Sequence, residues 1–252
     1  MIYYFFIIFL ILFFVYYLRK NKLKRSFFKK YNHKSFLMKF LVPFTNFCIY
    51  FYDKTRFFDY KQYKELVILQ KNASTIKQEF SQNYPRLTPT QASVFDEDFP
   101  YDPNYGYYFI KYYGTIVSNK QHFPKVFELV KSMPHLHTCF ISIMSAKKKI
   151  PLHNGPYKGL LRFHLPLINH NPNDSYLQVE EKKLYWNPHE PFLFDDTFKH
   201  KVNKKDDGWR IVLICDVERN LPYGLNYLNE IVISEMTKSE YVNTCRKKLT
   251  LE

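Results

Sequence analysis

Three histidines and two arginines in the C-terminal half of the chain have types and spacing suited to chemistry. His153 lies in the loop segment PLHNGPYKG, His164 lies in LLRFHLPL, and His200 follows LFDDTFK. Arg162 and Arg210 lie in otherwise apolar segments, where a guanidinium is costly to bury unless it meets an anion. Imidazole binds Fe(II), and the arginine fork binds a carboxylate through two hydrogen bonds. The residue types indicate a metal ion beside a dicarboxylate. In the alternative, each histidine is an ordinary hydrogen-bonded group and each arginine points outward.

The elements that must position these side chains are short strands. Seven segments after residue 137 have the pattern of strands, are bounded by turn residues and have no long helix between them. This pattern predicts an antiparallel sandwich or barrel. The predicted strands cover residues 138–144, 160–168, 176–179, 183–186, 191–194, 198–202 and 209–217.

Helices are predicted on both sides of this β region. Residues 62–83 form an amphipathic pattern that ends before Pro85, and the polar, proline-containing residues 84–106 predict a long loop. A short helix is predicted from Pro124 to residue 133, because proline is tolerated in a first helical turn. The pattern is helical again after Pro222. With 46% hydrophobic residues the chain can bury a core, which excludes wholesale disorder.

The N-terminus predicts a membrane anchor. Residues 2–18 are apolar or aromatic without a charge, and a helix of this length spans about 26 Å, close to the thickness of a bilayer core. A cleaved signal peptide is the alternative, but no basic residue precedes the run and no small residues follow it. A buried hydrophobic helix is the third possibility. We therefore expect an uncleaved, single-pass anchor.

The charge distribution predicts the orientation of that anchor. Nine Lys or Arg residues lie within residues 19–39, after the apolar run, so the catalytic domain is expected in the cytoplasm. The four cysteines are scattered, as is typical of a reducing compartment. Without those nine residues the net charge of +14 falls to about +5, which argues against a nucleic-acid partner. Membrane lipids are the expected partners, and no obligate protein partner is evident.

Residues 36–52 are apolar and aromatic but interrupted by Lys39 and Pro43. A second membrane span is not expected. We predict a pair of interfacial helices whose basic neighbours meet anionic headgroups. In the alternative, these aromatic residues pack onto the globular domain.

Five blocks of sequence carry a family resemblance. They are Ser142, LHNGP (152–156), LRFHL (161–165), FDDTFKH (194–200) and RIVLICDV (210–217). Their order and spacing resemble the aspartyl/asparaginyl β-hydroxylase family of Fe(II)- and 2-oxoglutarate-dependent dioxygenases, whose pattern reads Ser, PHxGP, LRxHL, FDDSFxH and a closing R-[IV]-[VIL]-L-x-x-D-V. The resemblance implies a mainly β, double-stranded β-helix fold of the jelly-roll or cupin type, with flanking helices and, here, an N-terminal transmembrane helix.

The resemblance also implies the metal ligands. His153 and His200 match the two iron ligands of the family. Gly155 falls where most related dioxygenases have the acid of a two-histidine, one-carboxylate triad, and this glycine is the family's habit. Water and 2-oxoglutarate would complete the coordination. Leu152 departs from the usual proline before the first ligand, which concerns the entry to the loop and not the ligand.

The cosubstrate residues are carried over in the same way. Arg210 and Ser142 would bind the distal carboxylate of 2-oxoglutarate, and Arg162 and His164 would serve its other end. O2 is the second cosubstrate. The residues Asp195 and Asp196 are candidates for orienting His200.

The substrate is suggested by a narrower resemblance. PYKGLLRFHL (156–165) and the DVERN segment (216–220) resemble the bacterial lipid A acyl-chain hydroxylases of the family, which also carry an N-terminal anchor. We therefore expect hydroxylation of a lipid acyl chain. Hydroxylation of a protein Asp or Asn side chain is the alternative, and a non-catalytic, membrane-tethered barrel is an alternative of another class.

The sequence predicts a division of the chain into three parts and leaves open a partial zinc cluster. The predicted parts are an anchor at residues 1–24, a basic and aromatic juxtamembrane region at 25–60, and a dioxygenase domain at 61–252 with its core at 137–220. His135, His137 and Cys139 could mimic part of a zinc cluster, but no second Cys/His pair lies at finger spacing.

Overall fold

The computed structural model describes residues 36–83, 90, 105–117, 122–145 and 147–250. The α-helices in these ranges are α1 Phe36–Tyr52, α2 Lys64–Lys71, α3 Ala73–Asn83, α4 Pro124–Lys131, α5 Tyr223–Lys238 and α6 Glu240–Thr250. The strands are β1 Phe57–Phe58, β2 Tyr105–Tyr112, β3 Thr115–Ile116, β4 Leu136–Met144, β5 Lys148–His153, β6 Leu160–Asn169, β7 Ser175–Val179, β8 Lys182–Tyr185, β9 Phe192–Phe194, β10 His200–Lys204 and β11 Arg210–Glu218.

The strands form two antiparallel sheets. One has the order β1-β9-β6-β11-β4-β2-β3, and the other has the order β5-β10-β7-β8. From β4 onward the chain distributes its strands between the sheets, with β4, β6, β9 and β11 in the first and β5, β7, β8 and β10 in the second. This exchange between two packed antiparallel sheets is the jelly-roll arrangement. The mainly β fold with flanking helices, predicted from the sequence, is confirmed.

All seven predicted strands are present, and their ends differ from the predicted ones by at most two residues. Strand β2 was not predicted because its sequence, YGYYFIKY, is buried on both faces and lacks alternation. The predicted helix at 62–83 is two helices, because α2 ends at Asn72, whose side-chain amide donates to the Ile68 carbonyl at 2.8 Å. The predicted helices after Pro124 and Pro222 are confirmed.

Alternation along the strands separates two apolar cores. Even-numbered residues of β11, such as Val212 and Ile214, pack in a core between the two sheets together with Leu177 and Val202 of the four-stranded sheet. Odd-numbered residues of the same strand, such as Leu213, face the other side and pack against α2, α3 and α4. Polar residues on the inter-sheet face of the large sheet are therefore directed into the molecule.

Helix α1 corrects the prediction for residues 36–52. These residues form one helix with Pro43 inside it, not a pair of interfacial helices. Met38 and Val42 are buried against Ile233 and Met236 of α5. The alternative, in which this segment packs onto the globular domain, is confirmed.

The predicted localisation is contradicted. Within the described ranges, no helix is long and apolar enough to cross a membrane. The predicted anchor at residues 1–24, with its apolar run at 2–18, lies outside the described residues. The division into an anchor, a juxtamembrane region and a catalytic domain is not tested and stays a prediction.

The carboxylate of Glu79 in α3 caps helix α4. It accepts hydrogen bonds from the backbone N–H groups of Lys125 at 2.8 Å and Val126 at 3.0 Å. Because these N–H groups have no partner within the helix, we expect Glu79→Gln to lower the free energy of unfolding by about 1–2 kcal/mol. Urea unfolding measures the loss. The exposed Glu128→Gln is the control, and an equal effect of both substitutions would contradict the capping role.

Candidate metal centre and carboxylate pocket

The two predicted iron ligands face each other across neighbouring strands. His153 is the last residue of β5, His200 is the first residue of β10, and the two are direct cross-strand partners. Their ring centroids lie 4.1 Å apart. His153 is exposed at the edge of the small sheet, whereas His200 is buried. The fold therefore brings together two imidazoles that are 47 positions apart in the chain.

Both imidazoles are held in the same tautomer. Nδ1 of His153 donates to the carbonyl of Pro151 at 2.8 Å, and Nδ1 of His200 donates to the carbonyl of Phe198 at 2.8 Å. A proton on Nδ1 leaves the lone pair on Nε2, the nitrogen that then binds a metal. Burial, followed by the charge of His153, lowers the pKa of His200 to about 3, so this ring is neutral at physiological pH. The donor set suits Fe(II). In the described part of the chain, no group of three or more His, Cys, Asp or Glu side chains is placed to hold a metal ion.

Asp196 occupies the space beside Gly155. A Cβ atom on Gly155 would lie 2.2 Å from Oδ1 of Asp196, so a larger residue would have to displace that carboxylate. The Gly155 N–H also donates to the Asp196 carbonyl at 2.7 Å, which joins the two ligand-bearing loops. Burial raises the pKa of Asp196 to about 7. The side chain of a triad acid at position 155 would occupy this space. In this protein the carboxylate of Asp196 occupies it instead.

A buried ion network holds the loop that leads to His200. Asp195 is fully buried and accepts from Lys158 and, at 2.8 Å, from Arg219. Arg219 also pairs with Asp53 at 2.7 Å, which connects the end of α1 to this loop. The Asp195 side chain accepts from the Thr197 N–H at 3.0 Å. The network therefore stabilises the turn that contains residues 195–198. The carbonyl of Phe198 in this turn orients His200.

We expect Asp195→Asn to lower the free energy of unfolding by about 3–5 kcal/mol, because it removes the carboxylate shared by two buried cations. Metal affinity should also fall by about 10–100-fold, since the turn that orients a ligand is loosened. Urea unfolding and anaerobic metal titration measure the two effects. Asp207→Asn is the control, because its ion pair with Lys147 is exposed and contributes less than about 1 kcal/mol.

The predicted carboxylate pocket lies on the inter-sheet face of the large sheet. Arg210 is 2% exposed, and its Nη2 donates to Oγ of Ser142 at 2.9 Å. Nε of Arg210 is buried and has no hydrogen-bond partner among the described residues. The guanidinium lies over the Trp186 ring, with Cζ 4.6 Å from its centroid. Burial lowers the pKa of Arg210 to about 10. A buried cation with an unsatisfied donor fits a carboxylate ligand.

His164 lies on the same face as Arg210 and is neutral. Its Nδ1 accepts from the Trp186 indole at 3.0 Å, which places its own proton on Nε2. Burial, then the charges of Arg210 and Arg162, lower its pKa well below the usual value. His164 is therefore a neutral donor between Arg210 and the metal ligands. The centroid of its ring lies 5.5 Å from that of Phe194, and the centroid of the Phe194 ring lies 5.6 Å from that of His200.

Arg162 is already paired. Its Nε donates to Asp216 Oδ1 at 2.8 Å, and its Nη1 lies 3.0 Å from Asp196 Oδ2. The role predicted for Arg162 at the other end of 2-oxoglutarate stays a prediction. The structure places this guanidinium between two carboxylates, one of which fills the space beside Gly155.

Sequence reasoning missed several residues of the site. Trp186 was not identified as a site residue, but it contacts both His164 and Arg210. Tyr105 and Tyr107 of β2 lie beside Ser142, but no strand was predicted for their segment. Lys158 and Arg219 had no signal, because their partners are distant in the chain.

The zinc alternative is not supported. The imidazoles of His135 and His137 both pair with the carboxylate of Glu218. His135 Nδ1 lies 3.1 Å from Glu218 Oε2, and His137 Nε2 lies 2.6 Å from Glu218 Oε1. Cys139 faces the core beneath the helices instead.

The fold and the site define a class of protein: a jelly-roll protein with a two-histidine centre and a buried arginine between its sheets. A sequence profile described as aspartyl/asparaginyl beta-hydroxylase matches residues 70–220. The chain belongs to this hydroxylase family, and the resemblance found in the sequence is confirmed.

A curated relative and two solved structures are similar to parts of the chain. The ornithine lipid ester-linked acyl 2-hydroxylase of Rhizobium tropici is 34% identical over 107 residues, which are 42% of this chain and 38% of that protein. The chain thus matches well under half of the relative's length. A predicted oxalate decarboxylase of Thermotoga maritima has a TM-score of 0.31 and 8% identity over 46% of this chain and 81% of its own. KdgF of Halomonas has a TM-score of 0.31 and 8% identity over 50% and 92% of the two chains.

Proposed function

We propose that the protein is an Fe(II)- and 2-oxoglutarate-dependent hydroxylase that acts on a lipid acyl chain. The observation that carries the cosubstrate is the buried Arg210, whose Nε has no partner among the described residues and whose Nη2 donates to Ser142. A buried guanidinium that has no carboxylate partner among the described residues is suited to bind the carboxylate of a ligand. 2-Oxoglutarate offers a distal carboxylate for this arginine and an oxo-acid end for a metal.

The residues of the chain would share the work as follows. His153 and His200 would hold Fe(II), which, when bound with 2-oxoglutarate and O2, supplies the oxidation of a C–H bond while 2-oxoglutarate is converted to succinate and CO2. Arg210 and Ser142 would bind the distal carboxylate. The apolar wall of Trp186, Phe192 and Phe194 excludes water around His164.

An apolar substrate is favoured by the surface beside the exposed metal ligand. Leu152, which directly precedes His153, is 56% exposed in strand β5. The similarity to an ornithine lipid acyl 2-hydroxylase supports the same substrate class. We infer that an acyl chain reaches the metal along this edge. Lipid A is the specific acceptor suggested by the sequence, and ornithine-type lipids are the second.

The test is turnover with defined acceptors. Protein loaded with Fe(II) without O2 is mixed with 2-oxoglutarate, O2 and either lipid A, an ornithine lipid or peptides that contain Asp and Asn. Mass spectrometry should find one added oxygen atom on an acyl chain, in step with succinate. Hydroxylated peptide with unmodified lipid would establish the alternative substrate. Absence of succinate with every acceptor would favour the non-catalytic binding protein.

A further inference from the structure

Two tyrosines of β2 lie next to the carboxylate pocket without a role in the proposed function. Tyr107 is the direct cross-strand partner of Ser142, and Tyr105 is the partner of Met144. Met144 is in turn the partner of Arg210 on β11. Three neighbouring strands therefore bring the two phenols, the serine hydroxyl and the guanidinium to one end of the inter-sheet face.

The three hydroxyl groups lie near one another beside the arginine. The hydroxyl of Tyr107 contacts the hydroxyl of Tyr105, and the side chain of Ser142 is close enough to the Tyr105 phenol to influence its pKa. Ser142 in turn accepts from Arg210. Burial raises the pKa of Tyr105 and raises that of Tyr107 well above its usual value, so both phenols keep their protons at neutral pH.

We propose that Tyr105 and Tyr107 are positioning residues for the distal carboxylate of the cosubstrate, an inference that rests on the proposed function. A serine hydroxyl can donate or accept. Beside a bound carboxylate, Ser142 must donate to the anion, and it can do so while accepting from Tyr105, which itself accepts from Tyr107. The hydroxyl hydrogens then run in one direction, toward the anion, and each bond polarises the next.

The same phenols also limit the length of the acid. The Tyr107 ring packs edge-to-face on Phe140 at 5.3 Å and on Phe109 at 5.9 Å between centroids. Phe109 and Phe140 stack at 4.8 Å. Close-packed aromatic rings leave little room for an extra methylene group. We therefore expect 2-oxoadipate, one methylene longer than 2-oxoglutarate, to bind more weakly.

The experiment compares two acids that share the metal-binding end. 2-Oxoglutarate carries a distal carboxylate, and 2-oxopentanoate has a methyl group in its place. Calorimetric titration without O2 into Mn(II)-loaded full-length protein gives the Kd of each acid. Tyr105→Phe should raise the Kd for 2-oxoglutarate about tenfold and Tyr107→Phe about threefold, because one hydrogen bond among these hydroxyl groups is lost. The Kd for 2-oxopentanoate should not change.

The matched control is Tyr176→Phe. The Tyr176 hydroxyl is exposed and accepts a hydrogen bond from the side chain of Asn203. Thermal unfolding checks that each variant is folded, which is expected because phenylalanine preserves the ring packing. Native affinity for 2-oxoglutarate in both β2 variants would overturn the inference and leave the proposed function intact. A rise in the Kd of both acids would also overturn it, as a sign of general disruption. If the native protein does not prefer 2-oxoglutarate over 2-oxopentanoate, the proposed cosubstrate fails as well.

Discussion

His153→Ala and His200→Ala are each expected to abolish 2-oxoglutarate-dependent succinate formation. In the described chain the two imidazoles are the side chains that the geometry offers to a metal, so either substitution leaves a single protein ligand. Loss of a group that merely orients a ligand costs about 10–100-fold in metal affinity, and loss of the ligand itself should cost more than that. Anaerobic Fe(II) titration measures the affinity, and succinate is measured after O2 is added.

The residue introduced in the control variant must be compatible with the backbone conformation at its position. His189 is exposed and is not one of the predicted site residues, but its φ of 67° lies in the left-handed region. Asparagine tolerates this conformation better than alanine does, so His189→Asn is the suitable control and should behave like the native protein. Full activity in either ligand variant, with Fe(II) supplied, would exclude the proposed centre.

Much of the fold and the centre of the site could be predicted because they depend on local patterns. Strand periodicity, turn residues and the spacing of five sequence blocks were sufficient to place seven strands and to select His153 and His200. Alternation then puts Ser142 and Arg210 on one face once their strands are known to pair. The pairing itself, Arg210 opposite Met144 and Val212 opposite Ser142, is visible only in the structure.

What could not be predicted depends on contacts between distant segments. No sequence pattern indicated that Asp216 of β11 and Asp196 of the turn after β9 both pair with Arg162. The sequence also did not indicate that an acidic side chain at position 155 would have no room, because Asp196 fills that space. The packing of α1 on α5 was left open for the same reason. Hydropathy identifies an apolar helix, but it does not identify the surface that the helix covers.

The two most deeply buried arginines illustrate the difference between a charge that serves the fold and a charge that serves a ligand. Arg219 is 1% exposed and pairs with Asp195 and Asp53. Arg210 is 2% exposed, donates to a neutral serine and has no carboxylate partner among the described residues, whereas an unsatisfied Nε is common to both arginines. Removing a paired charge leaves its buried partners uncompensated, whereas removing an unpaired one relieves a desolvation cost.

Arg210→Met is therefore expected to raise the Kd for 2-oxoglutarate about 100-fold or more while the free energy of unfolding stays the same or rises. The affinity falls because charge-assisted hydrogen bonds of about 1.5–3 kcal/mol each are lost, and about 1.4 kcal/mol corresponds to a tenfold change. Arg210→Lys should restore only part of the affinity, since an ammonium group cannot reproduce the two-pronged contact. The matched variant Arg219→Met should do the reverse, lowering the free energy of unfolding by about 3–5 kcal/mol. Calorimetry with Mn(II)-loaded protein and urea unfolding measure the two quantities. Unchanged 2-oxoglutarate affinity in Arg210→Met would show that the carboxylate binds elsewhere, and a large loss of stability in that variant would show that the cation serves the fold.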